Sequence, residues 1–182
     1  MQRKLWTIGH STRSIAEFIA LLKAYKIALL VDVRSIPGSR KFPQFNQENL
    51  RESLAEAQIG YQHAAGLGGL RKKHPHSRHT AWRNPSFRAY ADYMETASFI
   101  ESAAQLMQLA TEARVCICCS EVLWWRCHRS MIADYLKSKG WRVYHIMGPA
   151  KAAEHRYTQP AQIQKGTLTY GSQVEPNDPP DQ

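Results

Sequence analysis

From Ala28 to Val33 the chain is apolar at every position except Asp32. A half-buried strand alternates apolar with polar residues. A run with this little alternation, closed by Asp32-Val33-Arg34, marks a strand buried on both faces. Such a strand needs helices over both of its sides, which restricts the chain to an α/β arrangement around a mainly parallel sheet. Hydrophobic residues make up 43% of the 182, enough to fill a core of that kind.

Helical and extended patterns alternate on either side of this run. Lys4 to Ile8 reads as a first strand ending at Gly9. Ser14-Ile15-Ala16-Glu17 is a capping-box pattern that opens a helix with Ile15, Phe18, Ile19 and Leu22 on one face. Asn46 is placed to cap a helix bearing Leu50, Leu54 and Ala57, and Tyr61 to Ala64 reads as a third strand. Asn84-Pro85 opens another helix, and Ser98-Phe99-Ile100-Glu101 reads as a capping box for the next. Arg114 to Cys119 is a strand, Arg126 to Lys139 a helix stopped by Gly140, and Arg142 to Ile146 a last strand. Residues 1–150 are therefore expected to form one three-layer α/β domain, Rossmann-like in outline, with about five mostly parallel strands and helices on both faces. Residues 151–182 read as a C-terminal extension, disordered over 171–182.

The longest purely apolar run, Ile27 to Val31, is too short to span a bilayer, and Met1-Gln2-Arg3-Lys4 leads straight into the first strand without an apolar leader. A cytoplasmic protein with no membrane partner is expected. Lys and Arg number 24 against 15 Asp and Glu, a formal net charge of +9 that favours an anionic partner. The four cysteines, at 116, 118, 119 and 127, fall within twelve positions, whereas a disulfide framework would spread them over the loops. Cys116 and Cys118 alternate with Val115 and Ile117 and read as small hydrophobes in a buried strand. Cys119 and Cys127 are the two with chemical interest.

In a parallel sheet, ligands bind beyond the carboxyl ends of the strands. That rule selects Gly9-His10-Ser11, Asp32-Val33-Arg34, His63 and Cys119-Ser120-Glu121, which should converge on one rim. The same residues carry a family resemblance. In order along the chain stand Thr7-Ile8-Gly9-His10-Ser11, Asp32-Val33-Arg34-Ser35, Phe42-Pro43-Gln44-Phe45-Asn46, Leu67-Gly68-Gly69, Phe87 to Met94, and Cys119-Ser120-Glu121 leading to Trp125-Arg126-Cys127-His128-Arg129-Ser130. This series resembles the DUF488 family over about residues 4 to 147. The family is a domain of unknown function, so the resemblance implies a fold class and a set of shared residues but no reaction. Ser120 stands where Ala is common in that pattern, and Leu123-Trp124 where a Pro often precedes the Trp.

The chemistry these residues offer is that of an anion site. A helix start near Arg126 and Arg129, with Arg34 from another strand end, presents guanidinium groups suited to a phosphate or carboxylate. The competing role is structural, with Arg34 or Arg129 paired to Asp32 or Glu121. Glu121 is the candidate general base or nucleophile, and Asp32 can orient His10 or a substrate hydroxyl. Cys127, beside Arg126, His128 and Arg129, is a candidate thiolate nucleophile. Ser11, His63, Asn46 and Tyr90 complete the candidate substrate-binding set. The glycine fingerprint of a dinucleotide site is missing, since Gly9 stands alone. No cofactor is expected. Zinc at Cys119, Cys127 and His128 is the alternative weighed, and it is set aside because Cys-x7-Cys-His is not a usual ligand spacing.

Residues 57–91 contain no acid and six Lys or Arg, with Trp82 and Phe87 interleaved. Arg71, Lys72, Lys73, Arg78, Trp82 and Arg83 are candidate contacts to a nucleic acid, by backbone charge and base stacking. Three functions remain open: an enzyme on a phosphate-bearing substrate, nucleotide or nucleic acid; a non-catalytic nucleic-acid-binding module; and a Cys-dependent redox or sulfur-transfer enzyme.

Overall fold

The computed structural model describes residues 3–171. Beyond Gly171, the stretch expected to be disordered lies outside the described residues. In chain order the elements are β1 (Lys4–Gly9), α1 (Ile15–Ala24), β2 (Leu29–Asp32), α2 (Gln47–Glu56), β3 (Gly60–His63), α3 (Pro85–Tyr93) and α4 (Ala97–Glu112). Then come β4 (Val115–Cys119), α5 (Arg129–Ser138), β5 (Arg142–Gly148), β6 (Lys151–Glu154), β7 (Gln162–Gln164) and β8 (Thr167–Thr169).

Six strands form one sheet in the order β3-β2-β4-β1-β5-β6. The five expected strands, β1 to β5, run parallel, and β6 adds an antiparallel edge against β5. The sheet is covered on both sides, giving the three layers that the apolar run at β2 requires. On one side Phe18 and Leu22 of α1 and Leu50 and Leu54 of α2 bury Trp6, Ile8, Leu30, Cys116 and Cys118. On the other, Tyr90, Phe99, Leu106, Met131 and Leu136 from α3, α4 and α5 bury Leu5, Val31, Val115, Ile117 and Cys119. The two-residue period of β4 thus sends Cys116 and Cys118 one way and Cys119 the other, toward α5.

The helix starts follow local chemistry, with three departures from expectation. Ser14 and Glu17 form the reciprocal capping box, and the Asn84 side chain accepts from Ser86 N at 2.8 Å ahead of Pro85. Helix α4, however, is capped by Thr96, whose Oγ1 accepts from Phe99 N, so Ser98 falls inside the first turn. Asn46 sits at the N-cap position of α2 without capping it, because its Oδ1 accepts from Ser39 N at 2.6 Å and ties down the preceding loop.

The start of α5 is the more consequential difference. Trp124–Arg126 is a separate 3-10 turn and Cys127 is extended (φ −127°, ψ 145°), so the helix begins at Arg129 rather than Arg126. Cys127 and His128 therefore stand in the approach to the helix, not on its flank.

The extension expected after residue 150 begins inside the sheet, as β6. The segment that follows is held to α5 by the fully buried Asp134. Its Oδ1 accepts from His155 Nε2 and Thr158 N at 2.9 Å each, and its Oδ2 from Thr158 Oγ1 at 2.6 Å and Tyr170 OH at 2.9 Å. Removing the carboxylate strands several buried donors at once. Asp134→Ala is expected to cost about 3 kcal/mol or more of folding stability. The check is denaturant unfolding together with limited proteolysis, in which cleavage should first appear within 155–171.

Candidate active site

The parallel register aligns the strand ends. Gly9 is level with Cys119, and Asp32 is level with Cys118 and His63. Beyond β1 the chain stays against the loop after β4: His10 N donates to Cys119 O and Ser11 N to Ser120 O, each at 2.9 Å. The approach is close enough that a side chain at Gly9 would strike the Glu121 carbonyl, which is why glycine stands there. These loops, with the segment after β2 and the start of α3, enclose a cleft of about 740 Å³. His10, Ser11, Arg34, Tyr90, Glu121, Arg126 and Cys127 all line it.

Asp32 and Arg34 form a buried ion pair. Arg34 Nε donates to Asp32 Oδ1 at 2.9 Å and Nη2 to Oδ2 at 2.6 Å, with side-chain exposures of 6% and 0%. The structural role weighed for Arg34 is therefore filled, and Asp32 orients Arg34 and Tyr61 rather than reaching the cleft. Arg34 Nη1 remains, 3.4 Å from His10 Nε2. His10 bonds Ser11 O through Nδ1 at 3.0 Å and stacks on Phe45 with centroids 4.2 Å apart. A ring that donates at Nδ1 and accepts at Nε2 is neutral, and burial, with the Arg34 charge, holds the His10 pKa down at about 4.

Arg129 does not line the cleft. It lies behind the wall, 1% exposed, donating to Thr7 Oγ1 at 3.2 Å and to the Glu121 carbonyl. It has no carboxylate partner among the described residues. It joins instead a buried chain that runs from Thr7 Oγ1 to His145 Nδ1 (2.7 Å), from His145 Nε2 to His155 Nδ1 (2.9 Å), and on to Asp134. One proton on each ring satisfies every contact in the chain. Burial, then the neighbouring His155 ring and the Arg129 charge, push the His145 pKa down to about 2.

The floor of the cleft carries sulfur. Cys119, Cys127 and His128 place their ligand atoms within 4.8 Å of one another. A seven-residue spacing along the chain becomes adjacency because the strand end and the helix approach face each other, so spacing was a poor guide here. Cys127 Sγ lies 3.7 Å from His128 Nδ1, while His128 Nε2 is 3.1 Å from Val33 O. Gly69 leaves room for this ring, since a Cβ there would lie 2.7 Å from Nδ1. The Cys127 thiol is lowered to about 6 by its interaction with the Cys119 thiol, against burial, and by the nearby Arg129 charge. Cys119, the other member of that pair, is pushed up to about 12 by the same interaction and by burial.

Glu121 is exposed at the mouth, its Oε1 accepting from Leu123 N at 3.0 Å. It is the single carboxylate among the described lining residues, and Arg126 is exposed across the same wall. Lys41 also lines the cleft, a cation missed in the sequence. The signal was available, because Lys41 lies in the loop beyond the β2 strand end that the sheet rule points to. Two other candidates act structurally: His63 Nε2 bonds Arg34 O at 2.8 Å, and the Tyr90 hydroxyl donates to Leu67 O at 2.8 Å although its ring lines the cleft.

The basic segment divides. Arg71 is spent on the carbonyls of Ala65, Gly66 and Gly68 and over the Tyr93 ring, and Arg78 pairs with Glu95 at 2.5 Å. Lys72 and Lys73 are exposed. Trp82 and Arg83 line a second groove of about 1280 Å³, with Phe87 on the border of both hollows.

Fold and cleft together define an α/β protein with a polar, thiol-floored site at the strand carboxyl ends. The family model described as "Domain of unknown function DUF488" matches residues 14–136, and the chain belongs to that family. Comparison with curated proteins and with solved structures gives no match. Among the described residues no helix is long and apolar enough to cross a membrane.

Two of the depressed histidines, His10 and His145, set an acid limit. Between the ordinary imidazole pKa and the folded value, the unfolded chain binds protons that the folded chain does not, so stability rises with pH there and is lost as pH falls. Thermal stability is expected to drop on acidification from pH 6.5 toward 4, by roughly 1.4 kcal/mol per pH unit for each such group. His10→Asn should flatten that slope in unfolding curves recorded across the range, and an unchanged slope would remove His10 from the account.

Proposed function

We propose that the chain is an enzyme acting on a phosphate-bearing substrate of nucleotide size in the cleft at the strand carboxyl ends. The observation that carries this reading is the composition of that one hollow. Lys41, Arg126 and the free edge of Arg34 face a single carboxylate, Glu121, above a floor of two cysteines and a histidine. A volume of about 740 Å³ suits a single nucleotide unit. Arg126 and Lys41 hold the phosphate, while Arg34, fixed by Asp32, contributes its remaining nitrogen. Glu121 does the acid–base work, and Cys119, Cys127 and His128 form the reactive floor. The clustering of all four cysteines within 116–127 suits a reducing compartment, the cytoplasm.

Glu121→Gln is expected to leave folding and nucleotide affinity near wild type while lowering turnover by roughly 100-fold or more. Lys41→Ala with Arg126→Ala should instead weaken binding, measured by calorimetry at low salt, and reduce its salt dependence. Absence of both binding and turnover across nucleoside phosphates and oligonucleotides would overturn the proposal.

The second groove favours nucleic acid as the form of the substrate. Trp82, Phe87 and Trp125 offer stacking faces, and Arg83, Lys137 and Arg156 line the same groove. Trp125 is 47% exposed. A single strand laid there would lead past Phe87 into the cleft. An oligonucleotide should quench tryptophan fluorescence with an affinity that falls as salt rises, and Arg83→Ala should weaken it. Salt-insensitive binding would contradict this reading.

A further inference from the structure

The geometry points to a metal centre on the cleft floor, in which Cys119 Sγ, Cys127 Sγ and His128 Nδ1 hold one divalent ion of the zinc class and leave its fourth position open to the cleft. What the open position does rests on the enzyme reading above; the binding of the ion does not.

Four observations converge on it. The three donor atoms lie within 4.8 Å of one another, and all three residues line the cleft. In a tetrahedral zinc site with Zn–S about 2.3 Å and Zn–N about 2.05 Å, neighbouring sulfur and nitrogen ligands stand roughly 3.6 Å apart. The Cys127 Sγ to His128 Nδ1 separation is 3.7 Å.

The imidazole is also oriented as a ligand must be. A carbonyl oxygen only accepts, so the contact of His128 Nε2 with Val33 O at 3.1 Å places the ring proton on Nε2. The lone pair is then on Nδ1, facing the sulfurs. Metal-bound histidines are held in this way, with the second ring nitrogen donating to a backbone carbonyl or carboxylate. Gly69, which spares the ring a collision at 2.7 Å, keeps that orientation accessible.

The third observation concerns charge. Arg129, two residues beyond Cys127, is 1% exposed, has no carboxylate partner among the described residues and leaves its Nε without a hydrogen-bond partner. A buried cation next to a cysteine favours the thiolate form that a metal ligand requires.

The fourth is the donor count. Among the described residues three protein ligands meet here, not four, and three ligands with one exchangeable position is the pattern of reactive rather than structural zinc. Two thiolates and an imidazole select zinc over magnesium or calcium, which prefer oxygen. The open position gives water or a substrate oxygen access to a Lewis acid in the cleft that Glu121 also lines.

The test uses the full chain, purified reduced and stripped with a chelator, then titrated with cobalt(II) or zinc alone. Cobalt is expected to bind at one equivalent, with a near-ultraviolet thiolate-to-cobalt band and visible bands of tetrahedral intensity. Zinc should displace it. Cys119→Ser, Cys127→Ser and His128→Asn should each lower cobalt affinity by roughly 100-fold or more, with circular dichroism confirming the fold. Cys116→Ala, on the opposite face of the sheet, should leave cobalt binding unchanged. A folded, reduced wild-type chain that shows no thiolate-to-cobalt band at one equivalent would overturn the proposal, as would a band that survives loss of Cys119 or Cys127. If the stripped chain turns over a nucleoside phosphate at the full rate, the enzyme reading stands and the catalytic use of the metal falls. If metal binds and no phosphate compound is bound or turned over, the metal site stands and the enzyme reading falls, the catalytic use of the metal with it.

Discussion

A parallel sheet delivers all of its strand ends to one edge, and in this chain the register is what makes that edge chemical. Gly9, Asp32 and Cys119 finish at nearly the same level across β1, β2 and β4. Backbone bonds from His10 to Cys119 and from Ser11 to Ser120 carry the adjacency past the end of the sheet. A slip of one residue in β4 would turn Cys119 toward α1 and α2 and bring Cys118 to face α5. The cleft, its sulfur floor and the position of Glu121 all depend on that registration.

Charge is handled in two ways behind this edge. The Asp32–Arg34 pair is buried and fixed by its own hydrogen bonds, and Tyr61 donates to the same carboxylate at 2.9 Å. Pairs of this kind contribute little net stability but are costly to break, so their effect is to fix geometry. Arg129 has no such direct partner. Its charge is met by oxygen acceptors and, at the far end of a relay through Thr7, His145 and His155, by Asp134. Since Asp134 also holds Thr158 and Tyr170, the segment after β6 and the back wall of the cleft belong to one buried network.

Much of this was legible in the sequence. The apolar run at β2 demanded two covered faces. The Ser14–Glu17 and Asn84–Pro85 pairs marked helix starts whose caps are local interactions. The rule that strand ends gather ligands picked out His10, Ser11, Arg34 and Glu121, all in the cleft. The parts that were not legible depend on partners distant in sequence. Asn46 reads as a cap, but Ser39 competes for its side chain. Arg129 reads as an anion ligand, but burial against Thr7 turns it inward. The pairing of Cys119 with Cys127 follows from a turn at Trp124–Arg126 that no apolar period announces. β6, β7 and β8 are three or four residues long and hold no fully buried residue, too short to impose a pattern.

The strand carboxyl ends are proposed to form an accessible anion-binding hollow. Backbone amide chemical shifts, followed while a nucleoside monophosphate is titrated into the isotope-labelled chain, report on it residue by residue. Shifts concentrated at Ser11, at residues 38–42 and at residues 120–128 are the expected outcome. Shifts absent from those segments at saturating ligand, or confined to the groove around Trp125 and Arg156, would contradict it.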